Sequence, residues 1–414
     1  MLSRVKVSRR FCFGLSSSSS SPLFSPSPEY SQFRSLLRNF VQREVEPQAA
    51  EHDKKEQMNL PLVKRLGDLG VHGICVEEEF GGAQLSAVGT VIAMEELSYS
   101  DPGLCLAVLA HSVLLVHNLA HNASQEQKLR YLPSLVSGDM IGGLCMSEPN
   151  AGTDLLAMQT TARKSEDNKH WILNGQKMWI TNGCISESEL GDLFLVYAKT
   201  PSSARGVSLF IVEKGSPGLA LGQKLKDKCG MRSSNTAELV FSDCTIPVNN
   251  ILGQEGKGTI PMMRNLEIER IALAAMSLGI ARRCLDVMIK HSTQRQAFGK
   301  PIASFGQIQR HIAESYAEYT ASRTYVYALA NEINLSQPGN RIDSDGVKLV
   351  ATTMAKNVAD RAMQVLGGYG YLGEYAVERL WRDSKLLEIG GGTLEAHQKN
   401  ITADLVKAVG GSKI

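Results

Sequence analysis

The sequence predicts an α+β chain that runs from helices to a β domain and back to helices, on three observations. Apolar residues recur at three- and four-residue spacing up to about residue 140 and again after about residue 256. Between those limits lie short runs rich in β-branched and aromatic residues, separated by turn-forming residues. At 414 residues the chain also exceeds one ordinary core, so two or three domains are expected.

Residues 1–28 stand apart. Arg4, Lys6, Arg9 and Arg10 are their only charged side chains, and the serine run Ser16–Ser21 follows scattered Leu2, Val5, Phe11, Phe13 and Leu15. That is the composition of a mitochondrial transit peptide, which lies outside the fold and implies a matrix location. A merely disordered serine-rich tail is the alternative. The formal net charge of +2 comes largely from this arm, and the remainder is near neutral. Nothing in it favours nucleic acid. The eight cysteines show neither a C-x-x-C spacing nor accompanying histidines at metal-ligand spacing, so no metal site is expected and the thiols read as reduced.

Residues 29–140 read as an N-terminal helical domain. Phe33, Leu37, Phe40 and Val45 form one stripe, which Pro47 should end or bend. Leu62, Leu66 and Leu69 form a second, and Val91, Met94 and Leu97 a third, with a turn at Glu79–Gly82 between them. The apolar run Leu104–Val116 is interrupted by His111 and is expected to be too short for a bilayer. Ser124–Leu135 reads as an exposed helix. Residues 141–255 read as a β domain, a small barrel or sandwich, from Trp171–Leu173, Leu193–Ala198, Val207–Val212 and Ala237–Phe241, divided by Asn-Gly and Lys-Gly turns. Residues 256–414 return to the helical period over Pro261–Gln294, Phe305–Asn334, Ser344–Leu366 and Gly392–Val409. Long segments with short breaks predict a four-helix bundle.

Four stretches carry candidate chemistry. Asn265–Ala281 is a helical pattern whose stripe Ile268, Ile271, Ala272, Ala275 and Leu278 is broken by Glu267 and Glu269. Two residues turn a helix by roughly 200°, so the pair cannot share a face. One should meet water and the other apolar neighbours, where desolvation raises a carboxyl pKa toward the range of a general base. Two surface glutamates paired with Arg264 or Arg270 is the alternative. Gly390-Gly-Gly-Thr393 precedes the last helix, where the glycines admit a ligand to the backbone and Thr393 can cap the helix. Ser147–Asp154 and Trp179–Gly183 place hydroxyls and a flat aromatic in turns able to hold a heteroaromatic ring. By contrast, Gly368-Tyr-Gly-Tyr-Leu-Gly373 matches a dinucleotide fingerprint but follows a long helix instead of a strand, so it reads as a helix terminator.

In order, these pieces resemble the acyl-CoA dehydrogenase flavoprotein family. The matching stretches are Met146–Asp154, Asn174–Asn182, Gly230–Arg232, Arg295–Gly299, Gln364–Gly370 and Arg382–Ile389, spanning nearly all of the chain after the leader. The resemblance implies FAD, with Leu144, Met146, Ser147, Gly152, Thr153, Trp179 and Thr181 around the ring system from the β side. Thr393 and Glu395 would follow the glycine turn at the flavin. Arg295, Phe298, Gln364, Gly367 and Gly368 would serve the adenine end of a neighbouring subunit's cofactor, which implies a homotetramer built as a dimer of dimers. The implied reaction is α,β-dehydrogenation of an acyl-CoA: a carboxylate takes the α-proton, hydride leaves for flavin N5, and electrons pass to electron-transfer flavoprotein. The implied substrate contacts are Thr153, Tyr197, Ala198, Glu267, Arg270, Gly391 and Gly392, with the Gly391 N–H polarising the thioester carbonyl.

Most of the family carries its base in a Glu-Gly-Thr turn, and this chain reads Gly391-Gly-Thr393 there. The isovaleryl and long-chain branches place the base on the bundle helix, in a stretch similar to Leu266-Glu-Ile-Glu-Arg270, which selects Glu269. The glycine-floored turn and Ile389–Thr393 resemble the isovaleryl branch, implying a short branched acyl group; the long-chain branch is the alternative. Two rivals of other kinds are an oxygen-using acyl-CoA oxidase and a silent flavoprotein that kept the fold without the chemistry.

Overall fold

The computed structural model of the protein describes residues 21–201, 206–335 and 341–410. The N-terminal region holds α1 (Pro28–Phe40), α2 (Glu46–Lys55), α3 (Leu60–Asp68), α4 (Ala87–Ser98), α5 (Pro102–Leu109), α6 (Asn118–Asn122) and α7 (Gln125–Ser137). The middle region holds β1 (Gly142–Cys145), β2 (Thr161–Lys164), β3 (His170–Thr181), β4 (Leu193–Lys199), β5 (Val207–Glu213), β6 (Leu219–Lys224), β7 (Thr236–Pro247) and β8 (Ile251–Leu252). After α8 (Thr259–Gln294) come the short strands β9 (Gln296–Ala297) and β10 (Lys300–Pro301). The chain then forms α9 (Gly306–Glu332), α10 (Arg341–Leu366), α11 (Ala376–Leu387) and α12 (Leu394–Ala408).

Several expectations are corrected. Pro47 does not end the first helix: the backbone widens into a π-helical turn over Val41–Val45, and Pro47 falls in the first turn of α2, where its missing N–H is no loss. Part of the stretch assigned to the leader is packed. Phe24 is buried with the Arg323 guanidinium 4.0 Å from its ring centre, and the Asn331 amide donates to the Leu23 carbonyl at 3.0 Å. Residues 1–20 lie outside the described residues, and the leader reading of them with it. The apolar run extends into helical structure over Pro102–Asn122, 21 residues whose most apolar 18-residue window has a mean hydropathy of 1.8, long and apolar enough to cross a membrane. Its most apolar window is 89% buried inside the protein, so it is a core helix.

The middle region is one eight-stranded sheet ordered β6-β7-β3-β2-β4-β5-β8, with β1 joined parallel to β4. The β3/β7 half folds over the β4/β5 half: Trp171 meets Phe210 edge-on at 5.1 Å, among Leu173, Val196 and Leu239. No pairing joins β6 to β8 among the described residues, so the expected barrel is open. Asn174-Gly175, expected as a turn, lies inside β3 at a bulge, with Gly175 φ at +149°. There a side chain would collide with Thr160.

In the C-terminal region α8 is the central element, packed on α4, α9, α10 and α11. Every residue from 268 to 281 is buried, so the expected stripe is a complete ring, since α4 covers the face left polar in a simple bundle. A fifth helix, α11, was not anticipated beside the four. Across the α4–α8 contact lies a buried ionic cluster. Glu95 accepts from Arg34 at 2.9 Å, Arg323 at 2.8 Å and the Tyr327 hydroxyl at 2.5 Å. Glu96 accepts from Arg34, Arg38 and Arg282 at 2.8–3.0 Å. It ties the N-terminal helices to the bundle.

Candidate active site

Glu269 and Glu267 separate as helix geometry requires. Glu267 is half-buried, whereas Glu269 is buried against the turn that precedes α12. A Cβ on Gly391 would lie 3.2 Å from Glu269 Oε1 and 2.3 Å from Leu273 Cδ1, one turn further along α8. Gly391 and Gly392 have φ of +65° and +99°, so the turn needs glycine both for its conformation and for its approach to the helix. Glu269 makes no hydrogen bond or ion pair with the described residues. Burial pushes its pKa up to about 7, against the opposing charges of Arg270 and Lys348. Tyr197 on β4 is fully buried and lies within electrostatic reach of Glu269.

Beneath the turn is a polar network with members the sequence reading missed. The Gly392 carbonyl accepts from Lys348 Nζ at 2.6 Å and His397 Nε2 at 3.0 Å. His397 Nδ1 faces Asp345 Oδ1 at 2.6 Å, and Arg270 Nε lies 3.0 Å from the same oxygen. Arg270 also donates to Ser344 Oγ at 3.2 Å. Arg270 is therefore engaged by protein partners at Nε and Nη1. Burial lowers the Lys348 pKa to about 8. The overlooked signal was Lys348 itself, on the face of α10 shared by buried Ala351, Thr352 and Ala355. Thr393 caps α12 as expected, its Oγ1 accepting from the Ala396 N–H at 3.3 Å, while Glu395 is exposed in the first turn.

The β-side residues gather at the end of the sheet. Leu144 is on β1, and Met146 and Ser147 follow it. The Met178 N–H donates to the Ser147 carbonyl at 3.0 Å, which sets that loop beside Trp179 and Thr181. These two lie in β3, not in a loop, where a bulge and a φ of +60° turn Trp179 outward, 55% exposed. Lys177, fully buried, donates to Glu148 Oε1 at 2.9 Å and the Met146 carbonyl at 3.1 Å, bracing the loop from below. Gly152 and Thr153 are exposed, and a Cβ on Gly152 would meet nothing within 4 Å. Ala198 is corrected: alternation along β4 sends Tyr197 toward the helices and Ala198 into the core behind the sheet, with Trp171 and Phe210.

A separate pocket of about 550 Å³ is lined by Arg295, Gly367 and Gly368, with His291, Ile302 and Tyr369. The two glycines have open space where side chains would be. Gln364 is exposed nearby in sequence, and Phe298 is 95% exposed on a left-handed residue at the β9–β10 turn; neither lines the pocket.

Two candidate parts of a site are thus present: a desolvated carboxylate under a glycine turn, and an outward-turned indole beside a hydroxyl-bearing loop. Sequence models of the acyl-CoA dehydrogenase N-terminal, middle and C-terminal domains match residues 27–139, 143–244 and 256–406. The chain belongs to the acyl-CoA dehydrogenase family, FAD-dependent oxidoreductases acting on acyl-CoA. The mitochondrial isovaleryl-CoA dehydrogenase of Oryza sativa subsp. japonica is 42% identical over 397 residues, 95% of this chain and 94% of the relative. Butyryl-CoA dehydrogenase from Megasphaera elsdenii shares the fold with a TM-score of 0.86 at 34% identity, over 92% of this chain and 98% of that one. An acyl-CoA dehydrogenase complexed with FAD from Bacillus anthracis gives a TM-score of 0.86 at 30% identity, over 92% of this chain and 68% of that one. The residues present fit such a cofactor: Trp179 offers a flat face, Gly152 leaves its surroundings open, and Gly367 and Gly368 floor a pocket beside Arg295.

Proposed function

We propose that the protein desaturates a short branched acyl-CoA, isovaleryl-CoA to 3-methylcrotonyl-CoA in leucine catabolism, with Glu269 as the base. The observation that carries this reading is a buried carboxylate without a hydrogen-bond partner among the described residues, set against Gly391 where most of the family carries a glutamate. With a pKa near 7, Glu269 is partly ionised at neutral pH and basic enough to take a proton from carbon. The Gly391 N–H, held in a turn without side chains, would face the thioester oxygen as enolate charge develops. Leu144, Met146, Ser147, Gly152, Thr153, Trp179 and Thr181 would hold the FAD ring system, with Thr393 and Glu395 at the glycine turn. Bound there, FAD would supply a hydride acceptor for the β-hydrogen. Glu267 would lie at the substrate's entry.

The electron acceptor would be an electron-transfer flavoprotein, and the location the mitochondrial matrix, in keeping with the relatives' mitochondrial names. A homotetramer would let Arg295, Phe298, Gln364, Gly367 and Gly368 complete a neighbour's cofactor site. The nearly bare aromatic rings of Phe298 and Tyr371 support an apolar partner surface there. Anaerobic bleaching of the flavin by a panel of acyl-CoAs, beside Glu269→Gln, tests the reading. Bleaching by isovaleryl-CoA that the variant loses is expected. Preference for long straight chains would move the protein to the long-chain branch. No bleaching by any thioester, with FAD bound, would make it a silent flavoprotein.

A further inference from the structure

Lys348 is costly where it stands. It is fully buried on the inward face of α10, a position where an apolar side chain would pack without desolvating a charge. Its ammonium group donates at 2.6 Å to one carbonyl, that of Gly392, which also takes the His397 Nε2–H at 3.0 Å. The ring's other nitrogen faces the Asp345 carboxylate at 2.6 Å, which fixes the ring's orientation beneath the turn. The clamped carbonyl belongs to a turn whose two glycines sit at φ of +65° and +99° with no side chain of their own to hold them. That turn lies against Glu269, where a Cβ on Gly391 would come within 3.2 Å of Oε1.

We propose that Lys348 is a positioning residue for the reaction, fixing the Gly391–Gly392 turn over Glu269 and opposing the negative charge of the ionised base. The proposal rests on the reading of Glu269 as the base. The charged or titratable groups facing Glu269 are Arg270 from its own helix, Lys348 from α10 and the Tyr197 phenol from β4. Arg270 is shared with Asp345, whereas Lys348 has no carboxylate within ion-pair distance among the described residues, and its charge acts on Glu269. Glu388 and Asp345 add further attraction on Lys348.

The test uses the FAD-loaded protein and a 3-thia acyl-CoA, whose sulfur at the β position prevents hydride loss while leaving the α-proton exchangeable. Exchange of that proton with D2O reports on the base without turnover. Lys348→Met is expected to move the pH at which exchange sets in upward by about one unit, a roughly tenfold loss below it, and to weaken thioester affinity. Lys348→Gln keeps a donor for Gly392 without the charge, so it should recover affinity but not the pH profile, and Lys348→Arg should recover both in part. A Met or Gln variant with wild-type profile and affinity would overturn the proposal. So would failure of both to fold, which would make Lys348 a stability residue. Exchange that survives in Glu269→Gln overturns the base assignment instead.

Discussion

Glu95 and Glu269 are buried carboxylates on α4 and α8, helices that pack on each other, and burial has opposite outcomes for them. Around Glu95 the desolvation that would raise its pKa is outweighed by the guanidiniums of Arg323, Arg34 and Arg282, which hold it well below the usual range. Glu96 beside it is likewise driven down, to about 2, chiefly by Arg282. Around Glu269, Arg270 is shared with Asp345 and no guanidinium or ammonium donates to the carboxylate among the described residues, so the charges of Arg270 and Lys348 offset desolvation only in part and the pKa stands at about 7. Depth therefore does not distinguish a structural carboxylate from a reactive one. Satisfied hydrogen bonds do.

The largest expected effect follows directly. Glu269→Gln should lower kcat by about 10²–10⁴-fold while the protein folds and holds FAD, read by single-turnover flavin reduction. Glu95→Gln should do the reverse. Removing one member of a buried ionic cluster leaves three guanidiniums short of counter-charge and costs about 3–5 kcal/mol in chemical denaturation, with near-normal turnover in the fraction that stays folded. If Glu95→Gln is tolerated and Glu269→Gln unfolds, the contrast is broken.

A smaller effect sharpens it. The folded pKa of Glu269 lies above that of the unfolded chain, so its contribution to stability falls as pH rises from about 4.5 to about 7 and stays lost above. Glu269→Gln should therefore gain on the wild type across that window, by on the order of 1–3 kcal/mol at pH 8. Denaturation at pH 5 and pH 8 checks the sign. Smallest is Thr393→Ala, which removes the cap of α12 and should cost about 1 kcal/mol with a modest loss of thioester affinity.

The division into helical, β and helical regions was legible because period-2 and period-3.6 patterns alternate along the chain. The limits of that reading have physical reasons. Residues 268–281 of α8 are apolar nearly all round because they are buried all round, so no stripe could tell which glutamate faces the turn. Only the motif resemblance chose Glu269. β2 and β6 were missed because they carry alternating exposed residues with little apolar signal. Ala198 was misplaced beside Tyr197, although strand alternation alone sets them on opposite faces. The network of Asp345, Lys348 and His397 joins residues up to 52 positions apart, a pairing that only the folded chain brings together. Even so, a lysine on an apolar helical face was visible and went unread.

The most direct test of the Glu269 assignment is the pH dependence of kcat/KM for isovaleryl-CoA in the wild type and in Glu269→Gln. A base is active when ionised, so the wild-type rate should climb through a pKa near 7 and level off above it, with that limb absent from the variant's residual activity. A limb centred near 4.5, or one that persists unchanged in Glu269→Gln, would contradict the assignment of this buried carboxylate as the group that takes the proton.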